Sequence, residues 1–176
     1  MNQTLPTLRD DPEMTYDVAV IGGGPAGATA AHDLACAGHS VVLVDRAGRI
    51  KPCGGAIPPR AIRDFAIPPS QIVARIACAR MVAPSQTSVD MPIDDGYVGM
   101  VDREPFDEWL RERAALSGAR RITATFERFE RDPDGTARLH LRPREGEEPL
   151  SLRARMVIGA DGANSPLARA AMQRRP

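Results

Sequence analysis

The segment from Tyr16 to Asp45 constrains what the rest of the chain can fold into. An apolar run, Val18-Ala19-Val20-Ile21, leads directly into Gly22-Gly23-Gly24-Pro25-Ala26-Gly27, and a second run, Val41-Val42-Leu43-Val44, ends on Asp45. Strand, glycine turn, helix, strand and terminal acid in that order make a complete dinucleotide-binding βαβ unit. Gly22 permits the tight turn out of the strand, Gly24 lets backbone N–H groups approach a pyrophosphate, and Gly27 lets the helix lie close to the sheet. Asp45 stands twenty-one residues after Gly24, where a carboxylate can accept ribose hydroxyls. Glycine turns serve many loops, so the motif alone says little; the flanking elements at these distances imply a site for an ADP-containing cofactor, FAD or NAD(P).

A chain of 176 residues with 23 basic and 23 acidic side chains carries no net field that would draw nucleic acid or an anionic membrane. It is long enough for one domain, or part of one. Residues 1–15 are polar and read as a disordered tail without the apolar stretch of a signal peptide. No apolar run approaches the ~18 residues of a spanning helix, which makes the cytoplasm the default location. Cys36, Cys53 and Cys78 are odd in number and lack C-x-x-C spacing, so reduced thiols are expected; His32, His39 and His140 show no ligand spacing either, and no metal centre is expected.

The helix after the glycine turn should run from Pro25 to about Ala35, with Gly38 ending it and a parallel strand over 40–45. From Gly48 to Ser70 prolines and glycines dominate, with one short helix expected around 60–65, and so long an irregular excursion points to function. Three strands follow, around 75–82, 88–92 and 97–101, an antiparallel insertion spanning about 72–101. A helix then places Phe106, Trp109, Leu110 and Ala114 on one face and turns Glu108, Arg111 and Glu112 to water, and Gly118 ends it. The stretch 121–130, the Asp132-Pro133-Asp134-Gly135 turn and the alternation of Ala137, Leu139 and Leu141 with Arg138, His140 and Arg142 make a hairpin. Leu150, Leu152 and Ala154 alternate likewise, and the chain returns through Met156-Val157-Ile158 to Gly159-Ala160-Asp161-Gly162. A doubly wound NAD domain would alternate strand and helix after Asp45; antiparallel strands followed by a late apolar strand ending in Asp-Gly favour a flavoprotein. The fold class expected is α/β, a Rossmann-like FAD-binding unit carrying inserted antiparallel strands over residues 16–172, with 173–176 an atypical terminus.

Three motifs read together, Gly22 to Gly27 with Asp45-Arg46, Asp102-Arg103-Glu104-Pro105-Phe106-Asp107, and Gly159-Ala160-Asp161-Gly162-Ala163-Asn164-Ser165, resemble the FAD-dependent oxidoreductases of the p-hydroxybenzoate hydroxylase-like fold. Within that class, Lys51-Pro52-Cys53-Gly54-Gly55-Ala56-Ile57-Pro58-Pro59-Arg60 and Gly99-Met100-Val101-Asp102-Arg103 are similar to the geranylgeranyl reductases, above all the branch of bacteriochlorophyll synthesis. The resemblance runs from Tyr16 to about Ala170. It implies that Gly22, Gly24, Pro25, Ala26 and Gly27 hold the FAD pyrophosphate, that Asp45 holds the adenosine ribose, and that Arg46 flanks it. It implies further that Arg103 works at the flavin, that Asp161 and Gly162 approach its phosphate and ribityl region, and that Cys53, Gly54 and Gly55 contact the ring. A thiol at Cys53 could also donate a proton, against the alternative of an inert small apolar residue. For Arg103 the residue chemistry leaves a surface ion pair with Asp107 or Glu104 open, and for Asp161-Gly162 a plain turn.

The activity implied is reduction of geranylgeranyl double bonds to a phytyl group, on geranylgeranyl-bacteriochlorophyll or geranylgeranyl diphosphate, with NADPH re-reducing the flavin and peripheral contact with the inner membrane following from a membrane-borne prenyl-lipid substrate. The family continues past the Asp-Gly motif into more substrate sheet and a later glycine-aspartate segment, whereas this chain ends at Pro176. Two further readings therefore stay open: another FAD oxidoreductase of the same fold, such as an aromatic hydroxylase, and an inactive FAD-binding fragment.

Overall fold

A computed structural model describes residues 14–46 and 53–172. The expectations for residues 1–13, for Gly48, for Lys51-Pro52 and for 173–176 lie outside the described residues. Strand β1 (Thr15–Ile21) takes up Thr15, which the sequence had assigned to the tail, and runs into the glycine turn; helix α1 (Pro25–Cys36) and strand β2 (Val41–Asp45) follow. β2 lies parallel to β1, with Val18 opposite Val41 and Ile21 opposite Val44. α1 opens on Pro25, whose missing N–H would have had no intrahelical partner, and its buried face is made of Gly27, Ala28 and Ala31, small enough for the helix to sit close on β1 and β2. Gly38, at φ +87°, ends it. The first four residues of β2 are all buried, the pattern of a strand covered on both faces.

After β2 come β3 (Ala56–Ile57), α2 (Pro59–Asp64), β4 (Ala74–Ile76), β5 (Cys78–Val82), β6 (Ser88–Pro92) and β7 (Val98–Met100). β3, β7 and β4 form an antiparallel sheet in that order, and β5 pairs with β6 as a separate ribbon. The single strand expected over 75–82 is thus two strands in two sheets. Its break is at Ala77, whose carbonyl accepts the Ile93 N–H at 2.8 Å where the chain changes partner from β7 to β6.

Helix α3 (Arg103–Leu116) then leads to β8 (Arg120–Thr123), β9 (Thr125–Arg131), β10 (Ala137–Arg142), β11 (Leu150–Gly159) and α4 (Pro166–Met172). The main sheet has the order β8-β2-β1-β11-β10-β9, parallel from β8 to β11 and antiparallel beyond. The stretch 121–130, expected as one arm of a hairpin, is also divided. Ala124 is buried and donates its N–H to the Asp45 carbonyl at 3.0 Å, so residues before it extend the parallel sheet beside β2 while those after it pair with β10. The Asp132–Gly135 turn joins β9 to β10 as expected, with Gly135 at φ +84° and the Asp132 N–H on the Thr136 carbonyl.

The described residues divide into two compact units, 14–46 with 110–172, and 53–109. The core of the first is a cluster around Ile21, Val42, Val44, Phe126, Leu139, Leu141, Leu152 and, from α4, Leu167. Leu139 and Leu141 are almost fully buried, and each contributes about 1.5–3 kcal/mol of transfer free energy. The second buries little: Ile67, Val101 and Phe106 are inside, whereas every residue of β5 and β6 is exposed. No helix among the described residues is long and apolar enough to cross a membrane.

Candidate dinucleotide and flavin sites

β1, β2 and β11 end side by side, and the chain turns sharply after β1 and after β11. At Gly22, φ is +108° and an added Cβ would stand 2.4 Å from the Ala160 carbonyl oxygen, so only glycine lets the loops after β1 and β11 meet. The Gly22 N–H donates to Val44 O at 2.8 Å and the Ala160 N–H to Ile21 O at 2.8 Å, tying the three strand ends together. A Cβ on Gly27 would lie 1.9 Å from Gly22 O, which is how closely α1 rests on its own turn. Gly24, the helix N-cap, differs: among the described residues nothing lies within 4 Å of its Cβ direction, and no side chain caps α1. The first turn of a helix left open in this way presents N–H donors and the positive end of the helix dipole, a ready place for phosphate. Pro25 and Ala26 belong to that turn, and Arg46 is exposed immediately after β2.

Asp45 ends β2 and accepts the Gly23 N–H on Oδ2 at 2.8 Å. Arg111 enters from α3: its Nη1 donates to Gly23 O at 3.1 Å and lies 3.8 Å from Asp45 Oδ1. Helical spacing expects Arg111 to face water; instead its side chain is 16 % exposed. A Cβ on Gly23 would be 2.8 Å from Asp45 Cβ and 2.9 Å from Arg111 Cδ, so the middle glycine, given no role from the motif, is the one that the acid and the arginine crowd. The signal for Arg111 is its place on α3, one residue after the buried Leu110 and three before the buried Ala114, at the margin of the apolar stripe.

Asp161 follows β11. Its Oδ2 accepts the Leu167 N–H at 3.2 Å at the start of α4, and its Oδ1 is buried with no hydrogen-bond partner among the described residues. A buried carboxylate oxygen without a donor is costly, and a hydroxyl-bearing ligand beside the strand ends would satisfy it. Gly162, at φ +89°, is exposed. Uncapped helix, acid and orphaned oxygen together fit an ADP-bearing cofactor with a polyol chain.

The second unit holds its own cluster. Gly55, at φ +70°, has Val101 O 2.1 Å from its Cβ direction and accepts the Val101 N–H at 3.0 Å, which fixes the segment against the strand leading to α3. Arg103 opens α3 and forms a two-pronged pair with Asp107 at 3.0 and 2.8 Å; the side chains are 12 % and 10 % exposed. The ion pair considered from residue chemistry is therefore present but partly buried, and it holds the Arg103 guanidinium in one orientation. Cys53 is exposed, and the Gly55 N–H and then Arg103 pull its thiol below the usual cysteine range. Next to it Gly54 has no described residue within 4 Å of its Cβ direction. The expected residues thus gather in two places: Gly22, Gly24, Pro25, Ala26, Gly27, Asp45, Arg46, Asp161 and Gly162 in the first unit, and Cys53, Gly54, Gly55 and Arg103 in the second.

Residues 16–170 match the pyridine nucleotide-disulphide oxidoreductase family. The chain is 60% identical over 152 residues to the geranylgeranyl diphosphate reductase of Rhodobacter capsulatus, a match covering 86% of this chain and 39% of that protein. It is 35% identical to digeranylgeranylglycerophospholipid reductase 1 of Methanopyrus kandleri, covering 90% and 42%. Among solved structures, a geranylgeranyl bacteriochlorophyll reductase-like protein from Thermoplasma acidophilum superposes with a TM-score of 0.80 at 28% identity, covering 89% of this chain and 42% of that one. The chain spans about two fifths of the length of these relatives.

Proposed function

The chain belongs to the pyridine nucleotide-disulphide oxidoreductase family, and from that premise we propose that it is the FAD-binding part of a reductase that saturates carbon–carbon double bonds of geranylgeranyl groups. The observation that carries the reading is the convergence, at the ends of β1, β2 and β11, of an uncapped helix N-terminus, the Asp45 carboxylate and the orphaned Asp161 oxygen. α1 and the backbone of Gly24 and Ala26 take the diphosphate. Asp45 and Arg46 take the adenosine, and Asp161 with Gly162 the polyol chain. In the second unit Arg103, Gly54, Gly55 and Cys53 serve the flavin. Reduced FAD bound there would supply the hydride that adds to one alkene carbon, with a proton completing the other. Asp107 fixes the Arg103 guanidinium, and Cys53, whose thiol the Gly55 N–H and Arg103 make more acidic than a free cysteine, is the candidate proton donor.

The finer reading is conversion of geranylgeranyl to phytyl on a bacteriochlorophyll or a diphosphate, with NADPH as the source of electrons and a prenyl lipid met at the surface of the inner membrane. It is supported by the identity to the Rhodobacter capsulatus protein and by the Cys53-Gly54-Gly55 segment. The test is to incubate the purified 176-residue chain with FAD, desalt it, and record the absorbance spectrum. Retained oxidised flavin followed by turnover of geranylgeranyl diphosphate with NADPH or dithionite, seen as stepwise gain of hydrogen by mass spectrometry, is the expected result. Retained flavin without turnover would assign the chain a binding role alone, and a colourless protein would remove the cofactor reading.

A further inference from the structure

We propose that Arg111 is a positioning residue of the dinucleotide turn, aiming the Gly24 N–H and balancing the charge of Asp45 so that the turn accepts a diphosphate. This rests on the reading of the turn as the ADP end of an FAD site. The Gly23 residue is gripped at both ends: its N–H by Asp45 Oδ2 at 2.8 Å and its carbonyl by Arg111 Nη1 at 3.1 Å. That carbonyl belongs to the same planar trans peptide as the Gly24 N–H, and in a trans peptide the two point in opposite directions. Anchoring the oxygen on Arg111 therefore turns the Gly24 N–H, at the uncapped N-terminus of α1, away from the guanidinium. A charged donor on the carbonyl also polarises the peptide and makes that N–H a better donor.

The second effect is electrostatic. A carboxylate close to the place of an anionic diphosphate repels it, and Asp45 is only 25 % exposed, so solvent does not fully screen it. Arg111 Nη1, 3.8 Å from Asp45 Oδ1, offsets that charge. The guanidinium comes from 88 residues beyond Gly23, so the device exists only because α3 is the crossover that returns the chain to β8 beside β2.

The test uses the full chain as wild type, R111M and R111K, titrated with FAD and with ADP at several salt concentrations, with the Gly24 amide followed by NMR without ligand. R111M is expected to lose about tenfold or more in affinity for both ligands, the scale of one charge-assisted hydrogen bond, with a flatter salt dependence and a displaced Gly24 amide resonance. R111K is expected to regain the salt dependence and part of the affinity. Affinities of R111M within about threefold of wild type overturn the proposal. So does a loss that leaves the salt dependence and the Gly24 resonance unchanged, because that is what a merely structural tie would give. Should R111M not fold, R111K decides by the same resonance: displaced with weakened ADP binding supports the proposal, wild-type values in both overturn it. Failure of the wild type to bind either ligand removes the FAD reading itself, a result distinct from wild-type binding that is indifferent to Arg111.

Discussion

Gly24 and Gly27 stand three residues apart in one turn, yet a methyl group added to each meets opposite surroundings. At Gly27 it would strike Gly22 O at 1.9 Å, and α1 would have to move off its strand; overpacking of this kind costs about 1–3 kcal/mol, and G27A should lose both thermal stability and flavin. At Gly24, φ is −73° and no described residue stands in the Cβ direction, so G24A should unfold within about 0.5 kcal/mol of wild type while binding FAD more weakly, since the new methyl would meet the cofactor. Thermal melts paired with FAD titrations separate the two. Cys53 makes a further prediction at this scale. Because the Gly55 N–H and the Arg103 charge lower its pKa, more of it is thiolate at a given pH than of a free cysteine. The rate of iodoacetamide alkylation, mapped by mass spectrometry, should reach half its plateau at lower pH at Cys53 than in N-acetylcysteine, and R103M should move that midpoint upward. A midpoint equal to that of N-acetylcysteine would contradict the contact.

Among the elements, the three central strands are joined by polar ties at the end away from the glycine turn. Asp17 on β1 accepts the Ser40 N–H and hydroxyl at 2.9 and 2.8 Å before β2, and Arg155 of β11 donates to its other oxygen at 3.1 Å. These donors, those of Ser40 foremost, hold the carboxyl below its usual range. A carboxylate whose folded pKa is depressed contributes stability above the pKa of the unfolded chain and loses it as pH falls through the folded value. D17N should therefore be less stable than wild type at neutral pH, and the gap in urea midpoint should close on acidification; a gap independent of pH would show that the tie does not depend on the charge. Burial differs as sharply between elements. β2 is enclosed on both faces, whereas β5 and β6 expose every residue, including Met81, Val82, Val89 and Met91. Backbone amides of the β5–β6 ribbon should exchange with deuterium well before those of β1, β2 and β11, because local opening there uncovers almost no apolar surface.

For the molecule as a whole, a ligand that binds only the folded chain stabilises it by mass action. FAD at about 100 times its dissociation constant adds about 2.7 kcal/mol, which for a chain of this length raises Tm by roughly 5–10 °C. A scanning-calorimetry shift near that size, matched by ADP at equal saturation, would tie the effect to the dinucleotide turn; no shift at concentrations that restore the flavin spectrum would contradict a folded-state site. The sequence by itself determined the βαβ unit, the hairpin at Asp132–Gly135 and the resemblance to flavin-dependent prenyl reductases, because glycine spacing, apolar runs and turn residues act over a few neighbouring positions. It could not show where strands exchange partners, at Ala77 and Ala124, since each exchange depends on a backbone hydrogen bond with a residue distant in sequence. Nor could it show that Asp107 secures Arg103 in a partly buried pair, or that Asp161 keeps one oxygen unpaired among the described residues. Arg111 is the clearest case. Helical periodicity puts it at the edge of an apolar stripe, where a long side chain can point to water or inward, and only the parallel pairing of β8 with β2 brings its helix to the glycine turn and decides between the two.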